Sequence, residues 1–144
     1  MTADGATPTL YDISTGMAMS LMQEIAERLG ILAEGGEPHA IDLLGIPMSK
    51  RDRDELEAML GRGEVEVTLD VAGASRLWET QYSGVWWIRH FGEGERVASE
   101  RIEIVPVPEI LSAHRLDMAA AARRLSDELA QANEPIPQEE SAHV

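Results

Sequence analysis

The stretch from Glu64 to Phe91, EVEVTLDVAGASRLWETQYSGVWWIRHF, decides the fold of this chain. Its first part alternates apolar and polar residues with a period of two, which indicates a half-buried β-strand. Two more strands are predicted at 76–82 and 85–91, and the Ser83-Gly84 pair between them suits a tight two-residue hairpin. The stretch therefore predicts an antiparallel β-meander.

Helical patterns lie on both sides of this meander. Apolar residues recur at helical spacing over 17–32, a short apolar strand is predicted at 39–44, and a second helix is predicted between a capping-box Ser49 and Gly61. After the meander, a strand is predicted at 101–107 and a helix from Pro108 to Gln131. Helices and antiparallel strands are segregated along the chain, which is typical of the α+β class. We expect about four meander strands and a short extra strand, packed with about three helices.

The length of 144 residues favours one domain with one core. We expect a flexible N-terminal tail at 1–15, a single α+β domain at 16–132 and a flexible acidic C-terminal tail at 133–144. No apolar run reaches the roughly 18 residues of a membrane-spanning helix. The first residues lack the basic and apolar regions of a secretory signal, so we expect a cytoplasmic protein that does not bind membranes.

Composition also restricts the chemistry. The chain has no cysteine, which excludes thiolate nucleophiles and thiolate metal ligands of its own. Its formal net charge of −14 argues against nucleic acid as a partner, since such binding depends on Lys and Arg at the phosphates. No nucleophile, metal-ligand set or phosphate-binding loop accompanies the histidines, so we expect no catalytic residues, no metal and no cofactor. A metal-binding or hydrolytic site built from His39, His90 and Glu79 remains the competing hypothesis.

The predicted hairpin assigns side chains to the two faces of the sheet. A two-residue turn at Ser83-Gly84 would pair Trp78 with Arg89, and both would then lie on the core face. A four-residue loop at 72–75 would add Val65, Val67, Leu69 and Val71 to that same face. On this face Arg89 is predicted to stack on Trp78 as a cation–π pair.

The opposite face is mixed in character and is the predicted partner-binding surface. Aromatic anchors among polar groups are typical of interaction hot spots. The candidate residues are Leu77, Glu79, Gln81, Trp86, Ile88 and His90. The alternative interpretation is that a helix covers Trp86 and Ile88, which would make them ordinary core residues.

Four segments of the chain resemble one known family, the HupH/HyaF hydrogenase expression proteins. The main one is WETQYSGVWWIRHF at 78–91, preceded by LGRGEV at 60–65. The others are IDLLGIP at 41–47 and IEIVPVPEIL at 102–111, so the resemblance covers residues 20–112 in the family's order. Typical family members look about twice as long, with the related region forming their C-terminal part.

The resemblance implies an accessory, chaperone-like role in [NiFe] hydrogenase maturation without enzyme activity. In that role the chain would bind a hydrogenase subunit precursor, with the iron–sulfur-bearing small subunit as the expected client. A thioredoxin-like accessory protein would be a further partner, and pairing with a second copy of the chain would replace the missing half. The alternative function is a structural, self-associating protein-interaction module without a hydrogenase client.

Overall fold

A computed structural model describes residues 12–70 and 73–135 of the chain, which divides into two compact units at Pro108. In chain order, the helices and strands are α1 Met17–Ala33, β1 His39–Asp42, α2 Lys50–Leu60, β2 Glu66–Asp70, β3 Ala74–Glu79, β4 Val85–Phe91, β5 Val97–Ile104 and α3 Arg115–Ala132. Two 3-10 turns, Leu43–Gly45 and Glu93–Glu95, also lie in the first unit, and a third, Glu109–Leu111, precedes α3.

The strands form one antiparallel sheet in the order β1-β5-β4-β3-β2. Strands β2 to β5 follow one another as a meander, and the short β1 pairs with β5 at the far edge. The predicted α+β class is confirmed, with the predicted four meander strands and one extra strand. Among the described residues, no helix is long and apolar enough to cross a membrane.

Helix α2 begins and ends where its sequence signals predict. The Ser49 side chain accepts a hydrogen bond from the Asp52 amide, and the Asp52 side chain accepts one from the Ser49 amide, which completes a capping box. Gly61 ends the helix with a φ of 64°, a conformation that glycine adopts without steric cost. The predicted α2 boundaries are therefore confirmed.

One sheet face packs against α1 and α2 and forms the hydrophobic core. The largest members are Trp78 and Trp87, which stack with ring centroids 5.7 Å apart. Other buried members are Leu21, Ile25, Ile41, Leu56, Leu60, Val85, Ile102 and Ile104. Outside this apolar cluster, His39 on β1 and Glu24 on α1 lie 3.0 Å apart, which ties α1 to the edge of the sheet.

The β3–β4 hairpin is longer than predicted. Trp78 pairs with Trp87 rather than Arg89, and the Thr80 amide donates to the Val85 carbonyl at 2.9 Å, so residues 81–84 form the loop. The Thr80 hydroxyl bonds to both the amide and the carbonyl of Tyr82, which draws Tyr82 into the turn instead of the strand. The predicted register is wrong by two residues, and an even shift leaves the side chains that remain in the two strands on their predicted faces.

The register of β2 is wrong by an odd number, so its faces are inverted. Val67 pairs with Leu77 and Glu66 pairs with Trp78, because the connection to β3 is residues 71–73 rather than 72–75. Val67 and Leu69 therefore lie on the face opposite α1 and α2, and Glu66 lies on the same face as Trp78. Val71, which was predicted on the core face, is outside the described residues.

The second unit contains α3, which begins later than predicted. The 3-10 turn Glu109–Leu111 occupies the predicted first turn, and α3 starts only after His114. The His114 ring accepts a hydrogen bond from the Leu116 amide at 3.1 Å and so caps the helix. No residue of α3 is buried. Most of the predicted tails, 1–15 and 133–144, fall outside the described residues.

Candidate functional site

Two of the sequence motifs meet at one end of the sheet. The segment 60–65 lies along the end of β3 and the loop that follows it, residues 78–85, and we call these two segments the hairpin junction. The Gly63 amide donates to the Glu79 carbonyl at 2.7 Å, and the Glu79 amide donates to the Val65 carbonyl at 2.9 Å. The Gln81 amide donates to the Leu60 carbonyl at 2.9 Å. Segments far apart in sequence are thus joined through their backbones.

Glycine is required at the centre of this junction. A Cβ atom at Gly63 would lie 2.6 Å from the Thr80 carbonyl oxygen, closer than real Cβ contacts allow. The neighbouring Gly61 also faces the Gln81 side chain, whose amide donates to the Met59 carbonyl at 2.9 Å. The two glycines therefore allow the backbone of 60–65 to approach the backbone of 78–85 closely. Arg62 lies between these glycines in the sequence.

Arg62 lies over the indole of Trp78, with its guanidinium carbon 3.8 Å from the ring centroid. This is cation–π geometry, and the Trp78 ring also stacks with Trp87. Arg89 approaches the same Trp78 ring at 5.2 Å, which confirms the predicted cation–π pair. Two arginines and two tryptophans thus form one contiguous cluster.

A fully buried carboxylate lies beneath this cluster. Glu100 on β5 has no solvent exposure, and its Oε2 accepts hydrogen bonds from the Trp87 indole at 2.8 Å and from Arg89 Nε at 2.6 Å. Its other oxygen accepts a hydrogen bond from Arg53 on α2. A buried charge is strongly unfavourable unless it is paired and hydrogen-bonded, and here two guanidinium groups and an indole meet that requirement.

Arg89 is the central cation of this cluster. Burial lowers the pKa of its guanidinium, and the Glu57 carboxylate 3.6 Å away acts in the opposite direction. An arginine nevertheless keeps its charge at neutral pH, so the ion pair with Glu100 persists. The cluster fixes α2 to β4 and β5 and thereby positions the end of the helix from which Arg62 follows.

A second buried carboxylate anchors the segment before α1. Asp52 on α2 is fully buried and accepts hydrogen bonds from the Thr15 amide at 2.8 Å and the Thr15 hydroxyl at 2.6 Å, besides its capping bond. Burial raises the pKa of this carboxyl, but the hydrogen bonds from Thr15 and Ser49 outweigh that effect and lower the pKa from 3.8 to about 2. Asp52 is therefore ionised at neutral pH and has a structural role.

The solvent-exposed part of the hairpin junction includes one tyrosine and one arginine. The Tyr82 side chain in the loop is 43% exposed, and the Arg62 side chain is 46% exposed. Val65 and Gln81 are exposed beside them. Tyr and Arg are enriched among the residues that contribute most to binding at protein interfaces. The junction therefore presents an aromatic ring and a cation on a rigid backbone.

The predicted partner-binding face is less exposed than the sequence indicates. Leu77, Trp86 and Ile88 are buried, which corrects the expectation that Trp86 and Ile88 are exposed anchors and agrees with the alternative interpretation that they are core. Alternation along a strand shows which side chains share a face and cannot show whether that face is covered. Glu79 and His90 are half-buried, and of the six only Gln81 is exposed. Their role as partner contacts stays a prediction.

The alternative metal or hydrolytic site does not assemble. His39 pairs with Glu24 on the helix-facing side of the sheet, whereas His90 bonds to the Ser75 hydroxyl on the other side. Glu79 pairs with Trp86 four residues along β4 from His90. Within residues 12–70 and 73–135, no three His, Cys, Asp or Glu side chains are grouped as metal ligands would be.

Sequence reasoning missed Arg62, Tyr82 and Glu100 as site residues. The Gly61-Arg62-Gly63 sequence predicts the end of a helix, and α2 does end there. The two glycines also indicate that another backbone segment approaches closely, and this signal could have identified the contact with 78–85. Glu100 had no comparable signal. Its burial depends on Arg53 and Arg89 from other elements, which only the folded chain brings together.

Comparison with known proteins points to one family throughout. The model of the "HupH hydrogenase expression protein, C-terminal conserved region" matches residues 16–132. A solved structure of the hydrogenase expression protein HupH from Thiobacillus denitrificans is 44% identical and superposes with a TM-score of 0.77, covering 81% of this chain and 98% of that one. Over the part of the chain that is covered, the fold and the sequence are therefore similar to those of the HupH structure.

Curated relatives carry related names. The hydrogenase expression/formation protein HoxQ of Azotobacter vinelandii is 30% identical over 90 residues, and the hydrogenase-1 operon protein HyaF of Escherichia coli is 32% identical over 91 residues. These alignments cover 62% and 63% of this chain, and 32% of each relative. The chain thus spans about a third of the length of these relatives.

Proposed function

Because the chain belongs to the HupH hydrogenase expression protein family, through its C-terminal conserved region, we propose that it is an accessory factor in [NiFe] hydrogenase maturation. The observation that carries the proposal is the family match over residues 16–132, which includes the whole sheet and all three helices. The relatives named above are hydrogenase expression or formation proteins, which supports the general process.

The proposed activity is binding, without catalysis. The client we propose is the precursor of a hydrogenase small subunit, with the chain acting in the cytoplasm before the subunit is assembled. A thioredoxin-like accessory protein is a proposed second partner. The titratable groups of the sheet unit that are most deeply buried, Asp52 and Glu100, are occupied by structural hydrogen bonds, which suits a binding scaffold.

We place the client contact at the hairpin junction. Its backbone is fixed by hydrogen bonds between the two segments, so Arg62 and Tyr82 would bind with little loss of conformational freedom. Arg62 is already oriented by the Trp78 ring, and Tyr82 is oriented by the bonds that its backbone makes to Thr80. Among the residues predicted from sequence, Gln81 and Glu79 belong to the junction, where Gln81 is exposed and Glu79 is half-buried.

The test is recovery of the client from cells. The tagged protein is purified from cells that express its hydrogenase genes, and the bound proteins are identified by mass spectrometry. We expect an immature small subunit to be recovered with the wild-type chain and to be largely lost with the double variant R62A/Y82A. The matched control is Arg51→Ala, which removes an exposed arginine of α2 outside the junction and should leave recovery unchanged.

Two results would count against the proposal. Failure to recover any hydrogenase subunit with the wild-type chain would contradict the maturation role itself. Equal recovery by wild type and R62A/Y82A, with both folded, would contradict the hairpin junction as the contact and leave the role to another surface.

A further inference from the structure

Helix α3 has an apolar row of side chains that its own unit leaves exposed. Met118, Leu125 and Leu129 are each more than half exposed, and Ala122 lies in the same row. Most helical stability in proteins comes from burying an apolar face, and α3 buries no such face within its own unit. The row therefore requires an occupant.

The spacing of the row matches the seam of a two-stranded coiled coil. The steps from Met118 to Ala122, Leu125 and Leu129 are four, three and four residues, as in alternating d and a positions of a heptad. Ala132 continues the pattern by three residues. The residues that flank the seam on either side are Ala119, Ala121, Ser126 and Glu128, so three of the four are small and uncharged. Small flanks allow two helices to approach closely.

The same seam is symmetric about the middle of the helix. The centre of Arg115–Ala132 lies between residues 123 and 124, with Met118 and Leu129 equally far from it on opposite sides. Ala122 and Leu125 are likewise equidistant from the centre. Two antiparallel copies would therefore place Met118 against Leu129 and Ala122 against Leu125. Each of the two small Ala122 side chains would then face the larger Leu125 side chain of the other copy. This is the self-complementary geometry of a two-fold interface.

Charge favours a second copy as well. The chain as a whole carries a formal charge of −14, so most contacts between two copies would bring like charges together. Helix α3 is different, because its three arginines balance its three acidic residues.

We propose that α3 is a homodimerisation element that pairs antiparallel with α3 of a second copy along the seam Met118, Ala122, Leu125 and Leu129. This inference does not depend on the proposed function.

The first test is the oligomeric state of the full chain. Light scattering after gel filtration, over a series of protein concentrations, should show a dimer for the wild-type chain. Leu125→Asp should give a monomer at concentrations where the wild type is dimeric. Leu116→Asp is the matched control, because Leu116 is equally apolar and 67% exposed but lies off the seam, and it should remain dimeric. A monomeric wild type throughout the series would overturn the proposal, as would a dimeric Leu125→Asp.

The second test reports the orientation of the helices through single cysteines at the two ends of the seam. Since the chain has no cysteine, the variants M118C and L129C each carry a single thiol. In an antiparallel pair, mild oxidation of a mixture should give a disulfide between the two different variants and little between identical ones. Disulfides only between identical variants would contradict the antiparallel arrangement. Absence of any disulfide, with both variants folded, would contradict the interface.

Discussion

The sheet unit and helix α3 differ in where they place charged and apolar side chains. The sheet unit buries charged groups, Asp52 and Glu100, and supplies each with hydrogen-bond donors from other elements. Helix α3 leaves apolar side chains such as Leu125 and Leu129 in solvent. In the sheet unit these two buried carboxylates are paired by contacts within the unit, whereas the apolar row of α3 is the surface for which we propose a contact with a second copy.

The largest expected effect is at Glu100. Glu100→Gln removes the charge that balances Arg53 and Arg89, and we expect a loss of about 3–5 kcal/mol in the free energy of unfolding, because the two guanidinium groups lose their shared buried counter-charge. Urea denaturation followed by tryptophan fluorescence measures it. The control Glu93→Gln, at an exposed position, should change the value by less than about 0.5 kcal/mol. A loss below about 1 kcal/mol for Glu100→Gln would show that the sheet unit does not depend on its buried ion pairs, and so would contradict this account.

A smaller loss is expected from Gly63→Ala. The added methyl group would meet the Thr80 carbonyl at 2.6 Å, so the backbones of the hairpin junction must separate, at about 2–3 kcal/mol in unfolding free energy. Gly30→Ala in α1 is the control, and it should raise the unfolding free energy. A Cβ there has no neighbour within 4 Å, and alanine favours a helix over glycine by roughly 0.5–1 kcal/mol. Equal effects of the two substitutions in thermal denaturation would contradict the close approach.

The pH dependence of stability tests Asp52. Its pKa is lower in the folded chain, about 2, than its usual value of 3.8, so its ionised form stabilises the fold above that usual value. This contribution, roughly 1–2 kcal/mol, is lost as the pH falls from 3.8 through about 2. Unfolding free energies of wild type and Asp52→Asn should therefore differ by a constant amount near neutral pH and converge in acid. A difference that does not change with pH would contradict the role assigned to the ionised carboxylate.

The smallest effect is expected at Arg62. Arg62→Ala removes a half-exposed cation over Trp78 and should lower the unfolding free energy by only about 0.5–1 kcal/mol. Arg62→Lys should recover part of that loss, because an ammonium also interacts with the ring face. A loss above about 2 kcal/mol would contradict this expectation and would make Arg62 part of the structural ion-pair cluster rather than of the exposed junction.

The sequence predicted local structure well where a signal was local. The capping box at Ser49, the helix end at Gly61 and the alternation around Val67 each depend on a few neighbouring residues. The hairpin register failed because Ser83-Gly84 suits a two-residue turn, while the hydroxyl of Thr80 stabilises a longer one. This error did not change which face of the sheet the β3 and β4 side chains occupy, since a shift of two residues preserves the alternation.

Two other features required the folded chain. The faces of β2 depended on the number of residues between Asp70 and Ala74, and no strong turn signal determined that number. The burial of Trp86 and Ile88 depended on what covers their face, which alternation does not report. The six residues predicted as partner contacts were chosen from that face. The exposed junction of Arg62 and Tyr82 was missed because its two segments are joined only in the fold.

Binding of the proposed client to purified protein is the most direct test of the central claim. The precursor of a hydrogenase small subunit would be titrated by calorimetry with the wild-type chain, Arg51→Ala and R62A/Y82A, after circular dichroism has shown that each variant is folded. We predict binding by the wild-type chain, an unchanged Kd for Arg51→Ala, and a Kd at least about tenfold weaker for R62A/Y82A, as expected for loss of hot-spot side chains. No binding by the wild-type chain, or the same Kd for all three proteins, would contradict the claim.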